Sequence, residues 1–183
     1  MMEEWQVKLT QYLAGAKNIA VMGIGNEMMG DDAAGALLAR ELKKFKIQNS
    51  TLRQGLRHAQ PGSSGQEFKI QVFETSTTPE NFNGAIRRLG PDLVVMVDAA
   101  DMNMPPGRIA FLDTKQMHTM MHSTHTLPLS FLAGYLEQMG TAKVIALGIQ
   151  AGHIKLDQPM TREVAESVKA IVKAFTDVLG GRK

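Results

Sequence analysis

The chain has 183 residues, with 20 basic and 18 acidic side chains and a formal net charge of +2. That length favours a single domain with its own core, and the balanced charge argues against a dedicated nucleic-acid binder. The sequence contains no cysteine, which excludes disulfides, thiolate metal sites and a cysteine nucleophile. No apolar run approaches the roughly 18 residues of a membrane span, and no apolar leader follows the acidic N-terminus. We therefore expect a cytoplasmic protein whose single domain covers residues 1–183 and whose partners include neither nucleic acid nor membrane.

Short runs rich in Val, Ile and Met alternate with longer stretches of helical apolar spacing. Continuous apolar runs are typical of strands covered on both faces, and their alternation with helices predicts a three-layer α/β/α domain. An extra N-terminal helix is expected within residues 1–18, because apolar side chains recur at helical spacing across 3–14. The elements then expected, in chain order, are a strand (19–24), a helix (34–45), a strand (about 70–74), a helix (79–89), two strands (93–97 and about 107–112), a helix (127–139), a strand (143–149) and a helix (161–179).

Two connections depart from this alternation. Only residues 99–106 separate the third strand from the fourth, whereas a parallel return needs about a dozen residues or more. The fourth strand is therefore predicted to run antiparallel, which makes the sheet five-stranded and mixed. Residues 49–66 are rich in Gly, Ser and Gln and are predicted to form a flexible surface loop.

The densest chemical signal directly follows the first strand and reads Gly23-Ile24-Gly25-Asn26-Glu27-Met28-Met29-Gly30-Asp31-Asp32. Glycine-rich turns of this kind can bind phosphate, but the spacing differs from the dinucleotide motif and two adjacent carboxylates would repel an anion. A nucleotide site is therefore disfavoured. Either Asp31 or Asp32 is expected to cap the following helix. One cap suffices, so the other carboxylate is available for chemistry.

A second carboxylate, Asp98, follows the apolar strand 93–97. Ligands of open α/β sheets bind at the carboxyl ends of the strands, where Asp98 is predicted to lie. The alternative is an aspartate that merely forms a turn, and Asp101 is a rival three residues further on.

Histidines provide the third signal. His118, His122 and His125 have spacings that could suit zinc, although the surrounding sequence does not predict a firm helix. Alternatively, only His125, immediately before the next helix, faces the crevice. His58 and His153 are interpreted as structural or solvated.

The three signals converge if the first and third strands are neighbours, because Asp32, Asp98 and His125 then share one edge of the sheet. Two carboxylates and an imidazole suit a divalent ion such as Zn²⁺, Mn²⁺ or Ni²⁺, and they could equally act as acid and base around a water molecule. The residues alone thus favour a hydrolase or a metal-responsive site. Several of the 13 methionines lie in the same loops, where we expect adaptable apolar surface for a flexible peptide rather than a soft-metal site; these are Met28, Met29, Met102, Met104, Met120 and Met121.

At these residues the chain resembles the NiFe-hydrogenase maturation endopeptidases, most closely the HycI-like branch that processes formate-hydrogenlyase-type hydrogenases. The resemblance spans roughly residues 19–179 and depends on the combination of stretches rather than on any one of them. The matching stretches are Gly23–Asp32, Pro79-Glu80-Asn81, Val95–Met102, Pro106-Gly107, Thr124–Leu129, Ala146–Gln150 and Pro159-Met160-Thr161.

The resemblance implies a three-layer α/β/α sandwich with one antiparallel strand, and removal of a C-terminal peptide from a hydrogenase large-subunit precursor after nickel insertion. It also implies that Asp32, Asp98 and His125 engage the metal, and Asp32 and Asp98 are the candidate catalytic carboxylates. Nickel would then belong to the substrate rather than be bound permanently, and the enzyme could act as a monomer that docks transiently. Either carboxylate could be the general base. A non-catalytic, metal-binding assembly factor of the same fold is the alternative.

Three features differ from the family pattern. Where the family often has a glycine pair after an acid following the second strand, this chain has Glu74-Thr75-Ser76-Thr77. The 49–66 segment and the N-terminal helix have no counterpart that can be matched.

Overall fold

The computed structural model describes residues 2–56, 69–113, 129–139 and 142–180, and these residues form a sheet between two layers of helices. The strands are β1 (Asn18–Ile24), β2 (Lys69–Ser76), β3 (Leu93–Ala100), β4 (Ile109–Leu112) and β5 (Lys143–Gln150). The α-helices are α1 (Glu4–Gly15), α2 (Ala34–Leu56), α3 (Asn83–Leu89), α4 (Leu129–Met139) and α5 (Arg162–Gly180). Short 3-10 helices, Gly30–Ala33 and Pro79–Phe82, lead into α2 and α3. Among the described helices, none is long and apolar enough to cross a bilayer.

The five strands lie in the order β2-β1-β3-β5-β4. The first four in that order are parallel neighbours, and β4 pairs antiparallel with β5 at the edge. The α/β class, the five-stranded mixed sheet and the antiparallel fourth strand are therefore confirmed. β1 and β3 are direct neighbours, which is the condition for their carboxyl ends to share one crevice.

Each face of the sheet has its own apolar core, because successive side chains of a strand point to opposite faces. Along β3, Val95 and Val97 pack with α1, α2 and α5, whereas Val94 and Met96 pack with α3 and α4. This division explains why the central strands are apolar without alternation. Both of their faces are covered by helices.

The elements differ from expectation mainly in length. The N-terminal helix predicted over 3–14 is present as α1. Helix α2 continues to Leu56, so the prediction of a loop is wrong for residues 49–56, and 57–66 lie outside the described residues. The chain has no proline before Pro61 to stop this helix, and Leu, Arg and Gln at 52–54 are good helix formers.

The start of α2 lies directly against the sheet through two glycines. A Cβ atom on Gly35 would overlap the carbonyl oxygens of Ile24 and Val97, and one on Gly23 would overlap the carbonyl oxygen of Gly35. Helix and strand backbones are therefore in contact with no side chain between them. This contact brings the 3-10 helix that precedes α2 down to the ends of β1 and β3.

Replacing Gly35 by Ala should lower the free energy of unfolding by about 3 kcal/mol, because the new methyl group has only backbone atoms to displace. Chemical denaturation of the variant measures this. The matched control is Gly134→Ala in α4, where an added Cβ meets nothing within 4 Å. There the better helix propensity of Ala should stabilise the protein by about 0.5–1 kcal/mol. Equal effects at the two positions would contradict the proposed contact.

The end of β2 has the backbone conformation that glycine favours, although no glycine is present. Ser76 has φ 51°, in the left-handed region, and its carbonyl oxygen accepts a hydrogen bond of 3.0 Å from the backbone N–H of Gly25. The pairing of β1 with β2 also shifts register here, between Gly23 and Ile24. The turn geometry is thus enforced by its neighbours at some cost in backbone strain.

Replacing Ser76 by Gly should relieve this strain and raise the stability by about 0.5–1 kcal/mol. Ser76 is exposed, so little packing is lost with its side chain. Ser76→Ala keeps the Cβ and should bring no such gain in the same denaturation experiment. A destabilised Ser76→Gly variant would show that the left-handed conformation is not strained.

Candidate active site

Asp32 and Asp98 are both buried at the carboxyl edge of the sheet, each with a relative exposure of 1%. Asp32 lies in the 3-10 helix after β1, which contacts β3. Asp98 lies within β3. It directly follows Val97, which forms the last residue pair between β3 and β1 with Gly23. β3 is longer than predicted and includes Asp98, because β5 continues alongside it and pairs Gly148 with Asp98. The structure therefore places both acids on neighbouring elements at the same edge of the sheet.

Asp98 faces the layer formed by α3 and α4. It alternates along β3 with Val94 and Met96, which pack in that layer. His125, the third predicted site residue, precedes the first residue of α4 by four positions, but it lies outside the described residues, as do His118 and His122. The structure thus shows the helix that follows His125 without locating the imidazole itself.

The loop between β1 and the 3-10 helix folds back onto Asp32. The backbone N–H of Asn26 donates a hydrogen bond of 2.8 Å to Asp32 Oδ2. Gly25, with φ 140°, approaches Asp32 so closely that a Cβ there would overlap its carbonyl oxygen. The glycine that follows β1 is therefore needed for Asp32 to sit over the end of its own strand.

The carboxylate of Asp31 binds a different part of the protein from that of Asp32. Its buried carboxylate accepts hydrogen bonds from the backbone N–H groups of Gly152 (2.7 Å), His153 (3.1 Å) and Thr161 (2.6 Å), and from the Thr161 hydroxyl (3.1 Å). Burial alone would raise the pKa of Asp31, but these hydrogen bonds outweigh it and lower the pKa. Asp31 therefore fastens the loop after β5 to the 3-10 helix, instead of capping α2 as considered from the sequence.

Asp101, the rival of Asp98, is part of the turn after β3. Its Oδ1 accepts hydrogen bonds from the backbone N–H of Asn103 (3.1 Å) and from Gln150 Nε2 (3.3 Å). Gln150 Oε1 in turn accepts from the N–H groups of Met102 (2.6 Å) and Met104 (3.2 Å). Asp101 is exposed, whereas Asp98 is buried, so Asp98 is the better candidate for a site within the crevice.

Comparison with known proteins gives one consistent result. The sequence model of HycI, described as a hydrogenase maturation protease, matches residues 57–178. The hydrogenase 3 maturation protease of Escherichia coli K12 is 32% identical over 149 residues, which cover 81% of this chain and 82% of that protein.

Solved structures agree with the sequence matches. The NiFe-hydrogenase maturation protease HycI of Thermococcus kodakarensis superposes with a TM-score of 0.77 at 25% identity, covering 95% of this chain and 99% of the other. The solution structure of the endopeptidase HycI from Escherichia coli superposes with a TM-score of 0.63 at 30% identity, covering 85% of this chain and 87% of the other. The chain belongs to the HycI family of hydrogenase maturation proteases. It is therefore a hydrolase of the endopeptidase class, and the resemblance noted in its sequence is confirmed.

The carboxylates of the candidate site are donors of the kind that bind divalent metal ions. Within the part of the chain that the structure describes, no three His, Cys, Asp or Glu side chains cluster closely enough to hold an ion. Asp32 and Asp98 offer two carboxylates at one edge, and oxygen donors of this kind fit a hard or borderline divalent ion. A third donor would have to come from outside the described residues, where His125 lies, or from the substrate.

Glu74 occupies the position of the acid that family members often have after β2. Its Oε1 lies 3.1 Å from Arg40 Nη2 and its Oε2 lies 3.2 Å from Lys43 Nζ, and Arg40 also pairs with Glu27 of the loop after β1. Burial by itself would raise the pKa of Glu74, but the hydrogen bonds and charges of Arg40 and Lys43 prevail and lower it. Glu74 thus ties the end of β2 to α2 through ion pairs.

The remaining candidate residues lie at several places in the fold. Met28 and Met104 are exposed and Met29 and Met102 are half-buried, and their role as a peptide-binding surface stays a prediction. Met120, Met121 and His58 lie outside the described residues. His153 is half-buried, and its backbone binds Asp31 through both N–H and C=O, in keeping with a structural role. The roles of Asp31 and Gln150 were missed because their partners lie far away in the sequence. In the sequence, these roles were indicated only by the two adjacent aspartates and by the family-like stretches that end at Gln150 and Thr161.

Replacing Glu74 by Gln should reduce stability at pH 7 by up to about 1 kcal/mol, since the ion pairs are partly exposed. Because folding lowers the pKa of Glu74, its contribution is fully present above the unfolded-state pKa and disappears as the pH falls through the lower folded-state pKa. Stability curves of wild type and variant should therefore converge in acid. Glu41→Gln, which removes a surface pair with Lys44, is the control and should cost only a few tenths of a kcal/mol. A difference that persists at pH 2 would contradict this assignment.

Proposed function

We propose that the chain is the nickel-dependent endopeptidase that removes the C-terminal extension of a NiFe-hydrogenase large-subunit precursor once nickel has been inserted. The observation that carries the proposal is that two carboxylates, Asp32 after β1 and Asp98 on the neighbouring parallel strand β3, are both buried at the same edge of the sheet in a HycI-family chain. Monomeric action in the cytoplasm, with transient docking on the precursor, is part of the same proposal.

The nickel belongs to the substrate in this proposal. Asp32 and Asp98 supply oxygen donors and His125 a nitrogen donor, so that the enzyme recognises a loaded precursor by completing the coordination of its ion. Such an ion would orient the cleavage segment and polarise a carbonyl group or a water molecule. An unloaded precursor offers nothing for the carboxylates to bind, which makes removal of the extension conditional on nickel insertion.

The carboxylates also provide the proton chemistry that peptide hydrolysis needs. One of them accepts a proton from the attacking water, and the acid so formed can later protonate the leaving amine. Both carboxylates are withdrawn from bulk solvent, which strengthens their interaction with a cation or a developing charge. The proposed enzyme is therefore a protease of the aspartic type, in which either Asp32 or Asp98 is the general base.

The direct test is a processing assay on a nickel-loaded and a nickel-free precursor, followed by mass spectrometry. We expect wild type to release a short C-terminal peptide from the loaded form only. Asp32→Asn and Asp98→Asn keep the side-chain shape but remove the charge, and each should slow cleavage by at least about 100-fold. His125→Ala should abolish it as well.

Asp101→Asn is the matched control, because this carboxylate belongs to the turn formed with Asn103 and Gln150. The Asp101→Asn variant should cleave the nickel-loaded precursor at close to the wild-type rate. Equal cleavage of both precursors would refute nickel recognition by Asp32, Asp98 and His125 while leaving the protease intact. Binding of a verified loaded precursor without cleavage would instead identify a non-catalytic assembly factor of the same fold.

A further inference from the structure

Asp31 is bound more completely than a helix-capping residue requires. Its carboxylate is fully buried and accepts four hydrogen bonds, three from backbone N–H groups and one from a hydroxyl. Its own backbone N–H donates to the carbonyl oxygen of His153 at 3.2 Å. Backbone and side chain of this one residue are thus both held by the segment between β5 and α5.

The same residue is covalently joined to Asp32 within a 3-10 helix of only four residues. Consecutive Cα atoms are about 3.8 Å apart, so a rotation or shift of Asp31 moves the Asp32 side chain with it. Within the loop itself, the described hydrogen bonds include Asn26 N–H to Asp32 Oδ2 (2.8 Å) and Met29 N–H to the Asn26 carbonyl (3.1 Å). These bonds shape the loop but do not fix its position on the rest of the protein.

Apart from the contacts of Gly25 with Ser76 and of Glu27 with Arg40, the loop is bound by the segment 151–161. Besides the Asp31 contacts, the N–H of Asp157 donates to the carbonyl oxygen of Met28 at 2.8 Å. The ring of His153 lies against Gly30, so that a Cβ there would come within 2.8 Å of its Nδ1. Thr161, in turn, is anchored as the N-terminal cap of α5, its hydroxyl 3.4 Å from the N–H of Val164.

A carboxylate is required at this position because every partner is a donor. In Asp31→Asn, the amide NH₂ would face either the N–H of Thr161 or the three donors at the other oxygen. A buried donor facing another donor must move or lose its hydrogen bond. The substitution therefore loosens the attachment of the 3-10 helix, whereas the side chains of Asp32 and Asp98 remain chemically the same.

We propose that Asp31 is a positioning residue, which holds the 3-10 helix and with it the Asp32 carboxylate in place at the carboxyl edge of the sheet through its hydrogen bonds to Gly152, His153 and Thr161. The proposal rests on the proposed function in so far as Asp32 engages substrate. It assigns to Asp31 no contact with substrate or metal.

The first test compares Asp31→Asn with Leu9→Ala, a cavity variant of the buried α1 core that should also lower the melting temperature. Both are assayed on the nickel-loaded precursor at a temperature well below their melting points. Positioning predicts that kcat/KM of Asp31→Asn falls by about 10- to 100-fold, as for other residues that orient metal ligands, and that its binding preference for the loaded over the nickel-free precursor shrinks. In Leu9→Ala, kcat/KM and the binding preference for the loaded precursor should both stay within about twofold of wild type. Equal behaviour of the two variants would overturn the proposal.

A second readout is independent of activity. Comparison of crystal structures of wild type and Asp31→Asn should show the 3-10 helix and the Asp32 carboxylate displaced in the variant. If they stay in place, the proposal is wrong even where cleavage is lost, and if wild type does not cleave, this readout still decides. Should Asp31→Asn fail to fold, Thr161→Val removes one of the four bonds and should give a smaller change of the same kind, whereas Thr161→Ser should restore wild-type behaviour.

Discussion

The contact of two backbones at Gly23 and Gly35 determines where the site can form. A helix normally packs on a sheet through side chains, which keep the two backbones apart by the width of both layers of side chains. Here the first turn of α2 touches the ends of β1 and β3 directly. The short 3-10 helix before it is therefore held at the carboxyl edge of the sheet, where it contacts β3, the strand that carries Asp98.

That geometry would be unstable without satisfied polar groups, because the residues at the edge have irregular backbones and are buried. The structure satisfies them with two side chains, Asp31 and Gln150, each of which binds backbone groups of a different loop. A buried carboxylate is tolerated where donors surround it, and a buried amide where both its ends are occupied. The two loops next to the candidate acids are thus held by side chains that have no evident part in the chemistry.

Local sequence was sufficient for most of the fold. The apolar runs defined the strands, the eight residues of 99–106 were too few for a crossover, and the antiparallel β4 followed. Asp32 and Asp98 could be proposed because each follows a recognisable apolar run. What could not be predicted depends on distant partners or on competing local preferences. Asp31 is bound by residues 121 to 130 positions away, α2 continues through a segment whose composition is typical of loops, and Ser76 adopts a conformation that its own side chain disfavours.

The sequence distance of the Asp31–Thr161 contact, 130 residues, has a consequence for how the protein is made. The glycine-rich loop is synthesised early, and so is β1, but the groups that fasten the loop belong to the last strand connection and the last helix. Contacts so distant in the chain are slow to form and come late in folding. A nascent chain that has not yet been extended past residue 161 therefore lacks the Thr161 groups that bind the Asp31 carboxylate.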